Sequence, residues 1–187
     1  MQIDLSILIC SVTTRIESGL TPLIKWLQEQ ATENVEVLVS LDNKKRSVGE
    51  KRNNLISECR GRYVCFIDDD DMVSSDYVQS LLEAIKQDTD VITFDANRYV
   101  DNKFDKRVKY GIQYRKDSED ANFYYRIPNH LMCFKRSLAI DTSYQYISYG
   151  EDAQWAKDVF YKIKTQHNID KVLYSYYFSP TKTETQK

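Results

Sequence analysis

Glycine and proline are scarce in this chain, five and three among 187 residues, which excludes collagen-like and low-complexity disordered classes. No apolar run approaches the roughly 20 residues of a membrane span. Met1-Gln2-Ile3-Asp4 lacks the basic start of a secretion signal, and Ile7-Leu8-Ile9 has only the length of a strand, so a cytoplasmic protein is expected. There is no C-x-x-C pair. Cys10, Cys59, Cys65 and Cys133 sit inside apolar patterns and read as small buried hydrophobes in a reducing compartment, neither ligands nor bridges. A formal net charge of −2 removes any global field that would draw the chain to nucleic acid or acidic lipid. Internal repeats and domain linkers are absent too.

What is present is a globular composition, 42% hydrophobic and 29% charged, in a chain long enough to bury a full core. Leu5 to Val12 reads as a central strand, followed by a turn at Thr13-Thr14-Arg15. Thr21-Pro22 reads as a helix start with Thr21 at the N-cap, and Leu23, Ile24, Leu27 and Ala31 give its apolar stripe. A second strand, Val35 to Leu41, ends in Asp42-Asn43. Ser47 and Glu50 have the capping-box spacing, and Val48, Arg52, Leu55, Ile56 and Cys59 line one face of the helix after them. Gly61 suits that helix's C-terminal stop. A third strand begins at Tyr63, a helix at about Ser75, and a fourth strand at Val91. This alternation predicts a largely parallel, Rossmann-like sheet. From Ala96 to Tyr125 the sequence turns charged and alternating, with a turn signal at Asp101-Asn102-Lys103, so a hairpin is expected. Leu131 to Phe134 (strand), Asp152 to Lys164 (helix), Lys171 to Phe178 (strand) and a polar tail over 181–187 complete the chain.

Val64-Cys65-Phe66-Ile67 stops in four carboxylates, Asp68-Asp69-Asp70-Asp71. An acidic surface turn is the ordinary meaning of such a run. Here it follows a strand buried from both faces, at the end where open α/β sheets bind ligands. Adjacent carboxylates there repel one another, and a divalent cation shared with substrate phosphates would relieve them.

Five motifs in order give the chain its resemblance: Ser6 to Ser11, Val37 to Asp42, Gly49-Glu50-Lys51-Arg52-Asn53 with Gly61-Arg62-Tyr63, the aspartate run, and Gly150-Glu151-Asp152. Together they resemble the GT-A-fold, family 2 nucleotide-sugar glycosyltransferases, over about residues 5–180. The usual Pro-Thr-Tyr-Asn after the first strand is replaced by Val12-Thr13-Thr14-Arg15, so no base-stacking tyrosine carries over. The resemblance implies an α/β fold: one GT-A domain over 1–187, a mostly parallel central sheet flanked by helices, and a small antiparallel excursion after the metal motif. Its nucleotide-binding half would span about 1–95 and its acceptor half about 96–180. It implies Mn2+ or Mg2+ on Asp70, with Asp68 beside it. Asp68 and Asp69 would also meet ribose or metal-bound water, while Asp71 serves either the metal or the next segment as a cap. Ser11, Thr13, Arg15, Asp42, Lys51 and Arg52 are expected around the donor. Asp42 would read the nucleobase, and Arg52 would either brace the aspartates or touch phosphate. Asp152 is the implied catalytic base, against the plainer reading of a helix-start carboxylate. Glu151, His130 and Trp155 are candidate donor or acceptor contacts, each with an ordinary structural alternative.

The implied reaction is inverting, non-processive transfer of one sugar from a UDP-sugar. The acceptor hydroxyl could lie on a glycan, lipid carrier, protein or modified nucleobase. Two rivals stay open: a non-catalytic module of the same fold, and a haloacid-dehalogenase-type phosphatase, which Asp69-Asp70-Asp71-Met72-Val73 loosely fits. A sugar-nucleotide-synthesising enzyme would want a glycine-rich phosphate loop after the first strand, and Ser11 to Arg15 contains no glycine. Lys103, Lys106, Arg107, Lys109, Arg115 and Lys116 form a basic segment that could meet a phosphate backbone or an anionic membrane, or be a solvated hairpin.

Overall fold

A computed structural model describes residues 2–179 of the chain; the tail expected at 181–187 lies outside the described residues. Strand β1 (Leu5–Val12) is buried nearly throughout, with Leu5, Ile7, Leu8 and Ile9 fully inaccessible. It leads through a 3-10 turn at Thr13–Arg15 and a π turn at Ile16–Leu20 into α1 (Thr21–Gln28). Thr21 is therefore not an N-cap: the preceding turn already supplies helical carbonyls, and the Thr21 amide donates to the Ile16 carbonyl. Leu23 and Leu27 are buried as expected, but Ala31 lies past the helix end and is exposed.

Next come β2 (Val35–Asp42), α2 (Val48–Glu58), β3 (Tyr63–Phe66), a two-residue β4 (Met72–Val73), α3 (Tyr77–Ile85) and β5 (Val91–Val100). Ser47 caps α2 as its spacing predicts, its Oγ accepting from the Glu50 amide at 3.2 Å. Gly61 does not stop α2, which ends at Glu58; its amide instead donates to Ser6 Oγ at 2.8 Å, tying the entry of β3 to β1. The expected hairpin is β5 with β6 (Lys103–Tyr110), turned by Asp101 and Asn102 at φ 47° and 64°. Both angles are left-handed, as a tight hairpin turn requires. The chain closes with β7 (Ser118–Glu119), β8 (Phe123–Arg126), β9 (Cys133–Lys135), α4 (Arg136–Ile140), α5 (Glu151–Phe160) and β10 (Gln166–Phe178). Helix α5 is shorter than expected, leaving Ile163 beyond its end, and α4 has no signal in the periodicity because it is only five residues long.

One sheet takes the order β2-β1-β3-β9-β5-β6-β8-β7, with β10 running parallel along β5. The ladders of β1 with β2, β1 with β3 and β5 with β10 are parallel, so the central sheet is mostly parallel and flanked by helices, with the β5–β6 hairpin antiparallel. The short β9 lies antiparallel between β3 and β5. That inversion brings the start of β9 to the same edge as the carboxyl ends of β1, β2 and β3.

Candidate active site

Strand β3 ends at Phe66, whose amide bonds the carbonyl of His130 at 3.2 Å, so the residues entering β9 sit beside those leaving β3. The four aspartates then turn in four environments. Asp71 is fully buried and accepts from the Tyr174 hydroxyl and the Tyr177 amide, each at 2.7 Å; burial and the charge of Asp68 push its carboxyl well up. The same Tyr174 hydroxyl accepts from the Asp68 amide at 3.1 Å, so β10 holds the turn from both ends. Asp71 thus serves as a strut for the turn. Asp69 accepts from Ser11 Oγ at 2.6 Å, and Arg15 reaches Asp69 at 3.1 Å and Asp70 at 2.7 Å. Burial raises Asp69, Ser11 and Arg15 pull it back, and the balance leaves it at about 6. Asp70 is also raised, by burial and against the pull of Arg15.

Asp68 faces the other way. Arg52 Nη2 donates to its Oδ1 at 3.1 Å and His130 Nε2 lies 3.3 Å from its Oδ2. Burial pushes this carboxyl up, but His130 and Arg52 outweigh it and hold it below the usual carboxylate range. Arg52 is buried between the rings of Phe66 and Tyr144, 5.0 and 5.5 Å from their centroids, with Glu151 Oε1 3.6 Å from its Nε. His130, 5% exposed, has its Nδ1 without a hydrogen bond and 3.7 Å from Asp152 Oδ2. A continuous row therefore runs from Arg52 through Asp68 and His130 to Asp152.

Helix α2 explains how Asp152 arrives there. A side chain at Gly49 would put its Cβ 1.8 Å from the carbonyl oxygen of Gln145, so only glycine lets the loop before α5 lie against the helix. The Gly49 amide donates to Ile147 at 3.0 Å, and Asn53 clamps Tyr144 with two hydrogen bonds, at 2.9 and 2.8 Å. Gly150 then takes φ 79°, the left-handed conformation that turns this loop into α5. Glu151 and Asp152 follow in the first turn, where the helix dipole favours ionised carboxylates.

These groups line a pocket of about 1080 Å³, larger than the roughly 300–1,000 Å³ usual for one small ligand. Among the expected residues it contains Arg15, Arg52, Asp68, Asp69, Asp70, His130, Glu151 and Asp152. Five others lie elsewhere. Trp155 is core, stacked on Tyr144 at 4.9 Å with its indole N–H donating to the Thr142 carbonyl, so it touches no pocket ligand. Lys51 does not point to the crevice mouth: it is buried, bonding the Ser11 carbonyl at 2.8 Å and Asp42 at 2.5 Å. Asp42 is thereby occupied, accepting also from the Arg46 amide at 2.8 Å, and Lys51 with these loop amides outweighs burial to lower it to about 2. Ser11 acts through Asp69, and Thr13 is exposed on the turn after β1.

Sequence reasoning missed Tyr144 and Tyr174, since tyrosines abound here and neither has a motif around it. It also missed Arg98 and Arg126, which reach the pocket from β5 and β8. Only sheet pairing reveals them.

Among the described residues no three His, Cys, Asp or Glu side chains are grouped to hold a metal ion by themselves. The set does fit a hard cation that takes one or two carboxylates and completes its shell with phosphate and water oxygens. Asp70 is part-exposed in the pocket beside Asp69 and can present a carboxylate oxygen there.

The family model described as glycosyl transferase family 2 matches residues 27–146, well over half of the chain. The chain belongs to glycosyl transferase family 2. The phosphatase reading falls with that assignment. Comparison with curated proteins finds no match. Among solved structures, S. aureus TarS 1–349 in complex with UDP superposes with a TM-score of 0.72 at 15% identity, over 95% of this chain and 61% of that one. TarS 1–349 in complex with UDP-GlcNAc gives 0.70 at 12% identity, over 98% and 60%. At such identities the likeness is one of fold, and this chain spans about three fifths of the TarS fragment it matches. The family 2 match also covers Asp42, α2, the aspartates and His130 but stops before Glu151 and Asp152, which the pocket alone brings to the site.

Proposed function

We propose that this family 2 chain, folded as a single domain, transfers one sugar from a nucleoside-diphosphate sugar, UDP-linked, to an acceptor hydroxyl with inversion at the anomeric carbon and without processivity. The observation that carries the reading is the row across the pocket. One buried imidazole separates the donor-side carboxylate Asp68 (3.3 Å) from Asp152 (3.7 Å), leaving Asp152 at the open mouth. Asp152 takes the proton from the attacking hydroxyl, a role typically worth about 10² to 10⁴ in rate. His130 and the Ala153 amide, which donates to Asp152 Oδ1 at 2.8 Å, orient that carboxylate. Arg52 braces Asp68 and Glu151 from beneath, so it positions the donor carboxylate without touching phosphate. Arg15 stands over Asp69 and Asp70, where a leaving diphosphate would gather charge. Asp70 would hold Mn2+ or Mg2+, which when bound stabilises the leaving diphosphate, while Asp68, expected beside it, is turned to Arg52 and His130. Asp42 holds its own loop in shape and meets the nucleobase only through that loop. Free, mostly buried thiols suit a cytoplasmic protein, and no helix among the described residues is long and apolar enough to cross a membrane.

The test is Asp152→Asn, which keeps shape but cannot accept a proton. UDP affinity, measured by calorimetry with excess Mg2+, should stay at the parent's value. Sugar transfer across a panel of glycan, lipid-carrier, protein and nucleobase acceptors should fall by roughly 10² to 10⁴. Transfer at the parent's rate would leave Asp152 as a helix-start carboxylate and move the search to Glu151. A parent that binds UDP yet transfers nothing would be the binding module.

A further inference from the structure

The pocket is lined by both signs. Asp68, Asp69, Asp70, Glu151 and Asp152 have Arg15 and Arg52 among them, and Lys157 lies on α5 with the last two; a second, basic stretch of wall carries Arg98, Arg115, Lys116 and Arg126, with Asp117 beside Arg126. The antiparallel excursion builds this basic stretch, since β6, pairing with β5 and β8, brings Arg98 and Arg126 both to the ring of Tyr124, 5.5 and 4.9 Å from its centroid. Arg98 pairs with Asp105 and Arg126 with Asp117 at 3.4 Å, whereas Arg115, Lys116 and Lys157 have no ion-pair partner among the described residues. Unpaired cations on a concave wall attract anions more strongly than the same charges on a convex surface, because low-dielectric walls focus the field. A formal charge of −2 on the whole chain means that this attraction is local.

We propose that the acceptor carries an anionic group, phosphate or carboxylate, near its reacting hydroxyl, and that this basic wall binds that group while Asp152 faces the hydroxyl. This rests on the reading of Asp152 as the base. A pocket above single-ligand size leaves room for part of such an acceptor beside the donor, and Tyr110, Tyr124 and Tyr176 among the cations give it flat apolar faces. Arginine's planar fork suits either oxyanion.

The probes are three dextrans that differ only in charge: phosphorylated, carboxymethylated and unmodified. Binding to immobilised polymer is measured at low salt without metal, and UDP binding separately with excess Mg2+. The parent should hold one or both charged dextrans and not the neutral one; which is held distinguishes phosphate from carboxylate. The exposed pair Arg115→Glu/Lys116→Glu should weaken that binding by about tenfold or more and leave UDP affinity unchanged. The control pair Lys25→Glu/Lys45→Glu, outside the pocket, should leave both at the parent's level. Equal retention of neutral dextran, an equal loss in the control pair, no loss in the Arg115/Lys116 pair, or a loss of UDP affinity there would each overturn the proposal; the last would assign the wall to the donor diphosphate. Failure of the parent to bind UDP would instead strike the donor reading, which this assay reads independently.

Discussion

Replacing Arg52 with methionine removes a guanidinium that is 4% exposed and leaves its two carboxylate neighbours in place. Asp68, at 3.1 Å, and Glu151, at 3.6 Å, would then face each other's charge across an apolar slot lined by Phe66 and Tyr144. Breaking a buried pair by removing one partner typically costs about 3–5 kcal/mol. Asp68 keeps His130 and is 31% exposed, which places the expected loss at the lower end, about 3 kcal/mol. For a chain of this size that lowers the thermal midpoint by roughly 6–12 °C. The assay is urea unfolding followed by circular dichroism, without nucleotide or metal, on the parent, Arg52→Met, Glu151→Gln and the double variant. Neutralising Glu151 should recover about 1 kcal/mol or more in the methionine background, because contacting charges couple by roughly 0.5–3 kcal/mol. An Arg52→Met chain within about 0.5 kcal/mol of the parent, or strict additivity in the cycle, would refute the argument that this cation holds the two carboxylates together.

Two further outcomes concern the aspartates. Asp70→Ala should bind UDP equally with and without EDTA, whereas the parent should bind more weakly once metal is removed; equal behaviour of both chains in calorimetry would dissociate Asp70 from the cation. Asp69 sits at about 6 when folded against an ordinary 3.8, so between these values the folded chain holds a proton that the unfolded chain has released. Its stabilising contribution is complete below about pH 4 and is lost as pH rises through about 6. Metal-free urea midpoints should therefore fall more steeply over that window in the parent than in Asp69→Asn, and identical slopes would remove Asp69 from the balance.

The sequence by itself determined the longer strands of the first half, because burial from both faces marks runs such as Leu5 to Val12 and Tyr63 to Ile67, whereas the short β4, β7 and β8 and the first five residues of β10 carry no such signal. It also determined the capped start of α2 and the hairpin turn at Asp101-Asn102, which depend on neighbours a few residues away. The aspartate run and Gly150-Glu151-Asp152 were legible as motifs for the same reason. Roles that depend on partners distant in the chain were not. Lys51 and Trp155 each had the residue type of a ligand contact, and packing turned one into a strut for β1 and the other into core. Gly49 and Asn53 read as parts of a motif, yet their task is to seat a loop about 90 residues away. His130 became a bridge only because β9 runs antiparallel beside β3, a pairing that periodicity does not encode. The basic stretch of the pocket wall likewise depends on β6 and β8 folding back across the sheet edge. Hydrogen bonding and hydrophobic period act over a few residues and can be read from order alone, whereas the meeting of charges 60 to 100 residues apart is decided by how strands pair.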